Sequence, residues 1–326
     1  MRFAVFFCVL LTTSIRAIAL VTPTATTANS ESDALFAPAS IWNNVGAAET
    51  SSGEYLGNGW MITAAHVAGS ATHINFQLTI GGVPHLWNAV GSQLGTHDLF
   101  LAHLDADSSG HFPEDYGAFG VTIATSSPAV GTLVSLIGYG RAASTVSYYT
   151  VSGSTWTSST VNDPNSVAAY SWGSMPTKTW GTNIIWGTTA NGSTLPGTST
   201  PILEYTVNQD DALAIDFSST RHGSLPASQD AATSYEAGGA LDDSGGGMFA
   251  NVNGTMQLVG LLDTVLTWDG QPGGTTTVSN DTFAIDLTRY VSEINAAMVP
   301  EPNVVGLIFI GFTTLTSSFR SRLKRH

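Results

Sequence analysis

Ala240-Leu241-Asp242-Asp243-Ser244-Gly245-Gly246-Gly247 sets a serine between a carboxylate and a run of glycines. A turn of such small residues leaves the hydroxyl reachable and lets backbone N–H groups converge on whatever the oxygen attacks, which is what acyl transfer needs. In a chain with 34 glycines the same letters also fit a flexible turn. Two upstream segments favour chemistry. In Gly57-Asn58-Gly59-Trp60-Met61-Ile62-Thr63-Ala64-Ala65-His66-Val67 a strand-like run ends in small residues and then presents one histidine. Near neutral pH, histidine is the side chain best suited to take a proton from a serine. In Leu94-Gly95-Thr96-His97-Asp98-Leu99-Phe100-Leu101-Ala102-His103-Leu104 a carboxylate precedes a mostly apolar run. An aspartate entering such a strand is buried and needs a bonding partner, which an imidazole N–H supplies. A satisfied turn histidine at 66 and a strand-capping aspartate at 98 are the structural alternatives. His97, His103, Asp105 and Asp107 are expected at the surface.

His66, Asp98 and Ser244 in that chain order resemble the trypsin-like (chymotrypsin-fold) serine peptidases of bacterial type, whose motifs are Thr-Ala-Ala-His, an Asp opening an apolar strand, and Gly-Asp-Ser-Gly-Gly. Leu258 to Leu262 is similar to the strand after the nucleophile, Phe283 to Ile294 to the closing strand and C-terminal helix, and Thr132 to Gly140 to a second-barrel strand, so the resemblance covers roughly residues 37 to 298. It implies His66 as general base and then acid, Asp98 as the group that orients the imidazole, Ser244 as nucleophile, and the backbone N–H groups of Asp242 and Ser244 as the oxyanion hole. It also implies Gly238, six residues before the serine, at the base of the substrate side-chain pocket. That residue brings no charge, so the expectation is no preference for Arg or Lys and a lean toward small or apolar side chains.

Two departures bear on activity. Asp242 stands where the family has glycine. Aspartate tolerates the left-handed backbone region better than most residues, so the turn can form. A carboxylate about 4 Å from a developing oxyanion opposes it by about 4 kcal/mol at an effective dielectric of 20, and a misaligned donor costs about a hundred- to a thousandfold. Weak activity is therefore expected unless the side chain turns outward into water. Asp263 falls close to where the family places a small residue beside the triad acid. It is expected at a strand end facing solvent; the alternative puts it beside Asp98, where two carboxylates compete for one proton. No basic residue precedes an Ile-Val-Gly-Gly-like segment, so the usual partner of Asp243, a newly cut amino terminus, is not visible.

The chain has 326 residues, and charged side chains make up only 10% of it. Residues 1 to 19 run from Arg2 through an apolar core to Ala17-Ile18-Ala19, the pattern of a secretory signal peptide cut after Ala19. Cys8, the one cysteine, lies inside that segment, so the expected mature chain holds its fold by burial alone. At the other end, Val299-Pro300-Glu301-Pro302, an apolar stretch and the basic residues Arg320, Arg322, Lys324 and Arg325 resemble the PEP-CTERM sorting signal of Gram-negative bacteria. That resemblance implies an exosortase-type transpeptidase as partner, membrane contact only through segment 299–326, and a destination in the cell envelope or outside the cell. A short apolar stretch with a cationic end fits a pause in the inner membrane; an ordinary C-terminal anchor is the alternative. Six of the ten Lys and Arg lie in these two ends, which leaves four against 23 acids and a net charge of about −19 in the body. Such a surface repels nucleic acid. No metal-ligand spacing or phosphate loop is present, so no metal and no cofactor is expected.

Short apolar runs separated by Gly, Asn, Asp and Ser clusters predict an all-β chain of two antiparallel Greek-key barrels with the site in the cleft between them and a C-terminal helix. After a lead-in at 20–36, the peptidase-like domain spans 37–298: a first barrel at 37–125 with strands over Tyr55 to Ala65, Ile74 to Ile80 and Leu99 to Leu104, and a second at 126–298. The second includes Thr132 to Gly138, Tyr148 to Val151, Ile202 to Val207, Ala212 to Phe217, Met256 to Leu262 and Thr282 to Ile285. An insertion near 141–200 carries Trp156, Trp172, Trp180 and Trp186, as a binding platform or as the core of an elaborated hairpin. The implied function is an exported serine endopeptidase that hydrolyses protein or peptide substrates through an acyl-enzyme. The alternative is a protease-shaped binding or surface-display module silenced by Asp242. An acid hydrolase using Asp242 and Asp243 is disfavoured, because adjacent residues rarely aim both carboxylates at one bond.

Overall fold

The computed structural model describes residues 20, 39–141, 143–160, 166–174, 176–217, 235–278 and 280–299. The expected signal peptide, nearly all of the lead-in and the sorting segment lie outside the described residues. Among the described residues no helix is long and apolar enough to cross a membrane.

A short helix, α1 (Ala39–Asn44), leads into strands β1 (Val45–Ala48), β2 (Ser51–Gly57) and β3 (Trp60–Ala64), a single turn of helix α2 (Ala65–Ala68), and strands β4 (His73–Ile80), β5 (Val83–Gln93) and β6 (Leu99–Leu104). The six strands close into an antiparallel barrel in the order β1-β2-β3-β6-β5-β4. In β4, Ile74, Phe76, Leu78 and Ile80 are buried while His73 and Asn75 face outward, the period-two pattern of a half-buried strand. Their side chains pack with Tyr55, Met61, Trp87 and Phe100. The run expected as one strand over Tyr55 to Ala65 is a hairpin. Asn58 and Gly59 take φ of 52° and 76°, and two successive positive φ values make the tight turn whose twist suits antiparallel neighbours.

The chain then forms β7 (Leu133–Gly140), leaves through β8 (Ala143–Ser152), β9 (Thr155–Ser159) and β10 (Ser166–Trp172), and returns in β11 (Thr177–Thr188), β12 (Ala212–Asp216), β13 (Gly247–Val252), β14 (Thr255–Leu266), β15 (Thr275–Thr277) and β16 (Asp281–Asp286). A second closed antiparallel barrel has the order β11-β12-β16-β14-β13-β7 around Val134, Leu136, Ile185, Leu213, Met248 and Leu262. The remaining strands form a separate sheet, β15-β10-β8-β9. The insertion is therefore narrower than expected, because β11 belongs to the barrel. Its tryptophans serve structure: the Trp172 indole donates to Thr276 Oγ1, Trp156 to the Asp269 carbonyl and Trp186 to Asp281 Oδ1, while Trp180 is fully buried. The strand expected over Ile202 to Val207 is instead a 3-10 turn, Ile202–Tyr205, entered from Pro201, whose missing N–H suits a helical first turn rather than a ladder. Residues 292–299, which hold most of helix α3 (Val291–Ala297), belong to a second compact unit.

Candidate active site

His66 sits on α2, two residues past the end of β3. The Ala65 N–H donates to the Asp98 carbonyl (3.0 Å), the His66 backbone N–H to Asp98 Oδ1 (2.7 Å), and the imidazole Nδ1–H to Asp98 Oδ2 (2.5 Å). Three bonds onto one residue fix the ring, and with Nδ1 as donor the Nε2 lone pair is left to act as a base. Asp98 lies just before β6, which pairs with β3 through Ala64 opposite Leu99, so the sheet register brings histidine and acid together. Its side chain is only 2% exposed.

Asp98 is itself held from the second barrel. Its N–H donates to Asp210 Oδ2 (2.7 Å), and Asp210 Oδ1 accepts from His97 Nδ1 (2.6 Å) and from the Tyr290 hydroxyl (3.4 Å). His97 is thus a bonded, partly buried bridge rather than a free surface side chain, whereas His103 is exposed and lies edge-on to the Trp60 ring. Sequence reasoning missed Asp210, whose partner is 112 residues away in the chain.

Ser244 opens the tight turn before β13 and is fully buried. The loop hangs on the first barrel: the Ser52 N–H donates to the Ser244 carbonyl (3.0 Å), and Ser52 Oγ reaches the Asp242 carbonyl (3.3 Å). Gly245 is demanded twice over, by φ of 82° and by space, since a Cβ there would stand 2.2 Å from Thr63 Oγ1 and 2.3 Å from the Ser52 carbonyl. The Ser244 hydroxyl donates to the Asp263 carbonyl (3.3 Å), not to the imidazole.

Asp242 adopts φ of 78°, the left-handed conformation expected of a residue in glycine's place. Its side chain does not turn out into water. Oδ2 accepts from Arg141 Nε at 2.8 Å, so the charge that would oppose an oxyanion is paired with a guanidinium. Asp243 is buried against Gly138, where a Cβ would come within 1.7 Å of Oδ1. Burial pushes its carboxyl well above the usual range; the Ala240 amide pulls the other way, but at a geometry short of a hydrogen bond, and neither oxygen has a partner.

Asp263 corrects the expectation of a solvent-facing strand end. It is 1% exposed, with Oδ1 3.7 Å from His66 Nδ1 and Oδ2 accepting from the Val207 N–H (2.9 Å). The pairing of β14 with β16 slips between Leu262 and Thr264, and that bulge re-aims the intervening side chain. Burial first, and the neighbouring Asp98 second, drive its carboxyl well above the ordinary value. Ligand-type atoms of His66, Asp98 and Asp263 lie within 4.8 Å of one another. The 2.5 Å hydrogen bond between two of them fills the space an ion would need, since donors bound at about 2.1 Å in a tetrahedral shell stand more than about 3 Å apart.

Gly238 is buried, and a Cβ on it would fall 2.8 Å from Phe217 Cβ. Phe217 belongs to an apolar cluster with Ala143, Ala240, Val278, Tyr170 and Trp172, so the inserted sheet backs the neighbourhood of the expected pocket.

The two closed six-stranded antiparallel barrels are those of a chymotrypsin-like fold. No known protein family and no curated protein matches the sequence. A similar solved structure is that of the Rv3671c protease in an inactive form, 13% identical, with a TM-score of 0.41 over 80% of this chain and 92% of that one.

Proposed function

We propose that this chain is an exported serine endopeptidase in which Ser244 attacks the peptide carbonyl, His66 takes and returns its proton, Asp98 orients the imidazole, and the backbone N–H groups of Asp242 and Ser244 receive the oxyanion. The carrying observation is the convergence on Asp263: its carbonyl accepts the Ser244 hydroxyl while its carboxyl lies 3.7 Å from His66 Nδ1, so nucleophile and imidazole border the same residue. The Nδ1–H bond to Asp98 supports a base with its Nε2 free. Under this reading the Ser244 hydroxyl leaves the Asp263 carbonyl and turns to Nε2 when it reacts. Arg141 answers the charge of Asp242. Gly238 and the apolar surroundings of Phe217 support a preference for small or apolar side chains over Arg or Lys. Export, release into the envelope and transfer by an exosortase-type enzyme complete the proposal and rest on the two ends of the sequence.

A second reading, a silenced binding or display module, is favoured by one observation: the Ser244 hydroxyl is buried and bonded to a carbonyl. A fluorophosphonate probe separates the two. Under the peptidase reading the protein is labelled and Ser244→Ala is not. Labelling that appears only after Asp242→Gly supports the silenced module, and labelling indifferent to both substitutions removes the triad.

A further inference from the structure

Asp263 is a second carboxylic acid in a place that has room for the charge of one. Its side chain is fully buried, Oδ2 has a single backbone donor, and Oδ1 has no hydrogen-bond partner at 3.7 Å from the imidazole Nδ1. The groups facing it are His66 on α2, Asp98 before β6, and Asp210 before β12, the last of which carries His97 and Tyr290. A lone buried carboxylate beside two others is strongly disfavoured, and a proton is the smallest means of neutralising it. Asp98 accepts one bond on each oxygen from His66 and keeps lone pairs for another donor.

We propose that Asp263 is a positioning residue that carries a proton and donates it to Asp98, so that His66 is oriented by a carboxyl–carboxylate pair rather than by a lone carboxylate. The idea rests on the peptidase reading only for its consequence. With its charge shared, Asp98 still accepts the Nδ1–H of His66 and holds the ring with Nε2 turned outward. When Asp263 loses its proton, Oδ1, 3.7 Å from Nδ1, becomes a rival acceptor for the Nδ1–H beside Asp98 and draws the ring from its place. Burial and Asp98 both raise the carboxyl's pKa, which puts that loss above the ordinary carboxylate range.

Carbon-13 NMR of the full-length protein labelled in its aspartate carboxyl carbons tests the proton directly, with Asp263→Asn to assign the signal and Asp263→Ser as the smaller replacement should the first fail to fold. A carboxyl that keeps its proton well above the ordinary aspartate value and whose signal disappears in the variant is the expected result; a signal that titrates at the ordinary value of about 4 overturns the proposal. Fluorophosphonate labelling against pH then reads the consequence. The wild-type rate should fall about tenfold as Asp263 ionises, a loss in keeping with sub-ångström misplacement of the base, and both variants should lack that step. Identical profiles overturn it. A protein that never labels yet keeps a protonated Asp263 sinks the peptidase reading alone, and one that labels with Asp263 titrating as an ordinary carboxyl sinks the pair alone.

Discussion

Replacing Arg141 by alanine leaves Asp242 with an unpaired carboxylate next to an N–H expected to bind the oxyanion. The Asp242 carboxylate is one side-chain length from its own N–H, about 4 to 5 Å from the charge that develops in the transition state. At an effective dielectric of 20 it opposes that charge by about 3 to 4 kcal/mol. The guanidinium, 2.8 Å beyond the carboxylate, acts from about 7 to 8 Å and returns about 2 kcal/mol. Because the Arg141 side chain is 35% exposed, solvent screening reduces this to about 1 to 2 kcal/mol, or roughly a 5- to 30-fold slower fluorophosphonate labelling in Arg141→Ala. The fold should survive, since a partly exposed pair contributes about 0 to 1 kcal/mol and the Arg141 N–H keeps its bond to the Leu241 carbonyl. The decisive comparison is the same substitution in an Asp242→Gly background. There the guanidinium has lost its carboxylate and extends into water, where its pull at about 8 Å falls to about 0.5 kcal/mol and its removal should change the rate no more than about twofold. Equal losses in both backgrounds, after thermal melts show equal folded fractions, would refute the reasoning, because Arg141 would then act without Asp242.

Four further outcomes follow from the same geometry. Asp210→Ala removes the acceptors of both the Asp98 N–H and His97; leaving a buried donor unpaired costs about 1 to 3 kcal/mol, so a lowered melting temperature and at least a tenfold loss of labelling are expected. Gly245→Ala forces a Cβ into Thr63 and the Ser52 carbonyl at positive φ, and should abolish labelling even where circular dichroism shows a folded protein. Thermal stability should fall as pH rises from 4 to 8. Burial raises the carboxyls of Glu54, Asp243, Asp263 and, to about 7, Asp281, so the folded chain holds protons that the unfolded chain has released, and the stability present below pH 4 is lost as pH climbs through the folded values. Asp281→Asn should flatten the part between pH 4 and 7, where a group moved from 3.8 to about 7 changes stability by on the order of 4 kcal/mol; a melting temperature that rises over that interval in the wild type and not in the variant would reverse the sign.

What the sequence made legible was local. The small-residue turn before β13, the Ala-Ala-His end of β3 and the carboxylate ahead of β6 can each be read within a dozen residues, because the constraint on each is a neighbour in the chain. The alternation in β4 and the closing strand β16 are of the same kind. What stayed hidden depended on partners brought close only by barrel closure: Asp210 to Asp98 across 112 residues, Arg141 to Asp242 across 101, and the bulge that swings Asp263 inward, which exists only once β14 has paired with β16. Ile202 to Val207 failed for the opposite reason. An apolar, β-branched run looks the same whether it joins a ladder or packs as one turn beside Trp186 and Phe283.

Scarcity of positive charge links these hidden features. With four basic residues against 23 acids in the body, a buried carboxylate has few cations to meet. Among the described residues, Arg141 meets Asp242, Arg289 meets Asp211, and Lys178 donates to the carbonyls of Trp42 and Val45 while lying near Glu54. Among the acids left inside, burial pushes the carboxyls of Glu54, Asp243, Asp263, Asp281 and Asp286 upward. Burial thus favours the protonated form where a more basic chain would offer a salt bridge. A substitution that supplied a cation, such as a lysine facing Asp243 from position 138, would have no room to do so, because even a methyl group on Gly138 collides with Oδ1. Packing at the Ser244 loop therefore leaves Asp243 no cation, and burial there favours its protonated form.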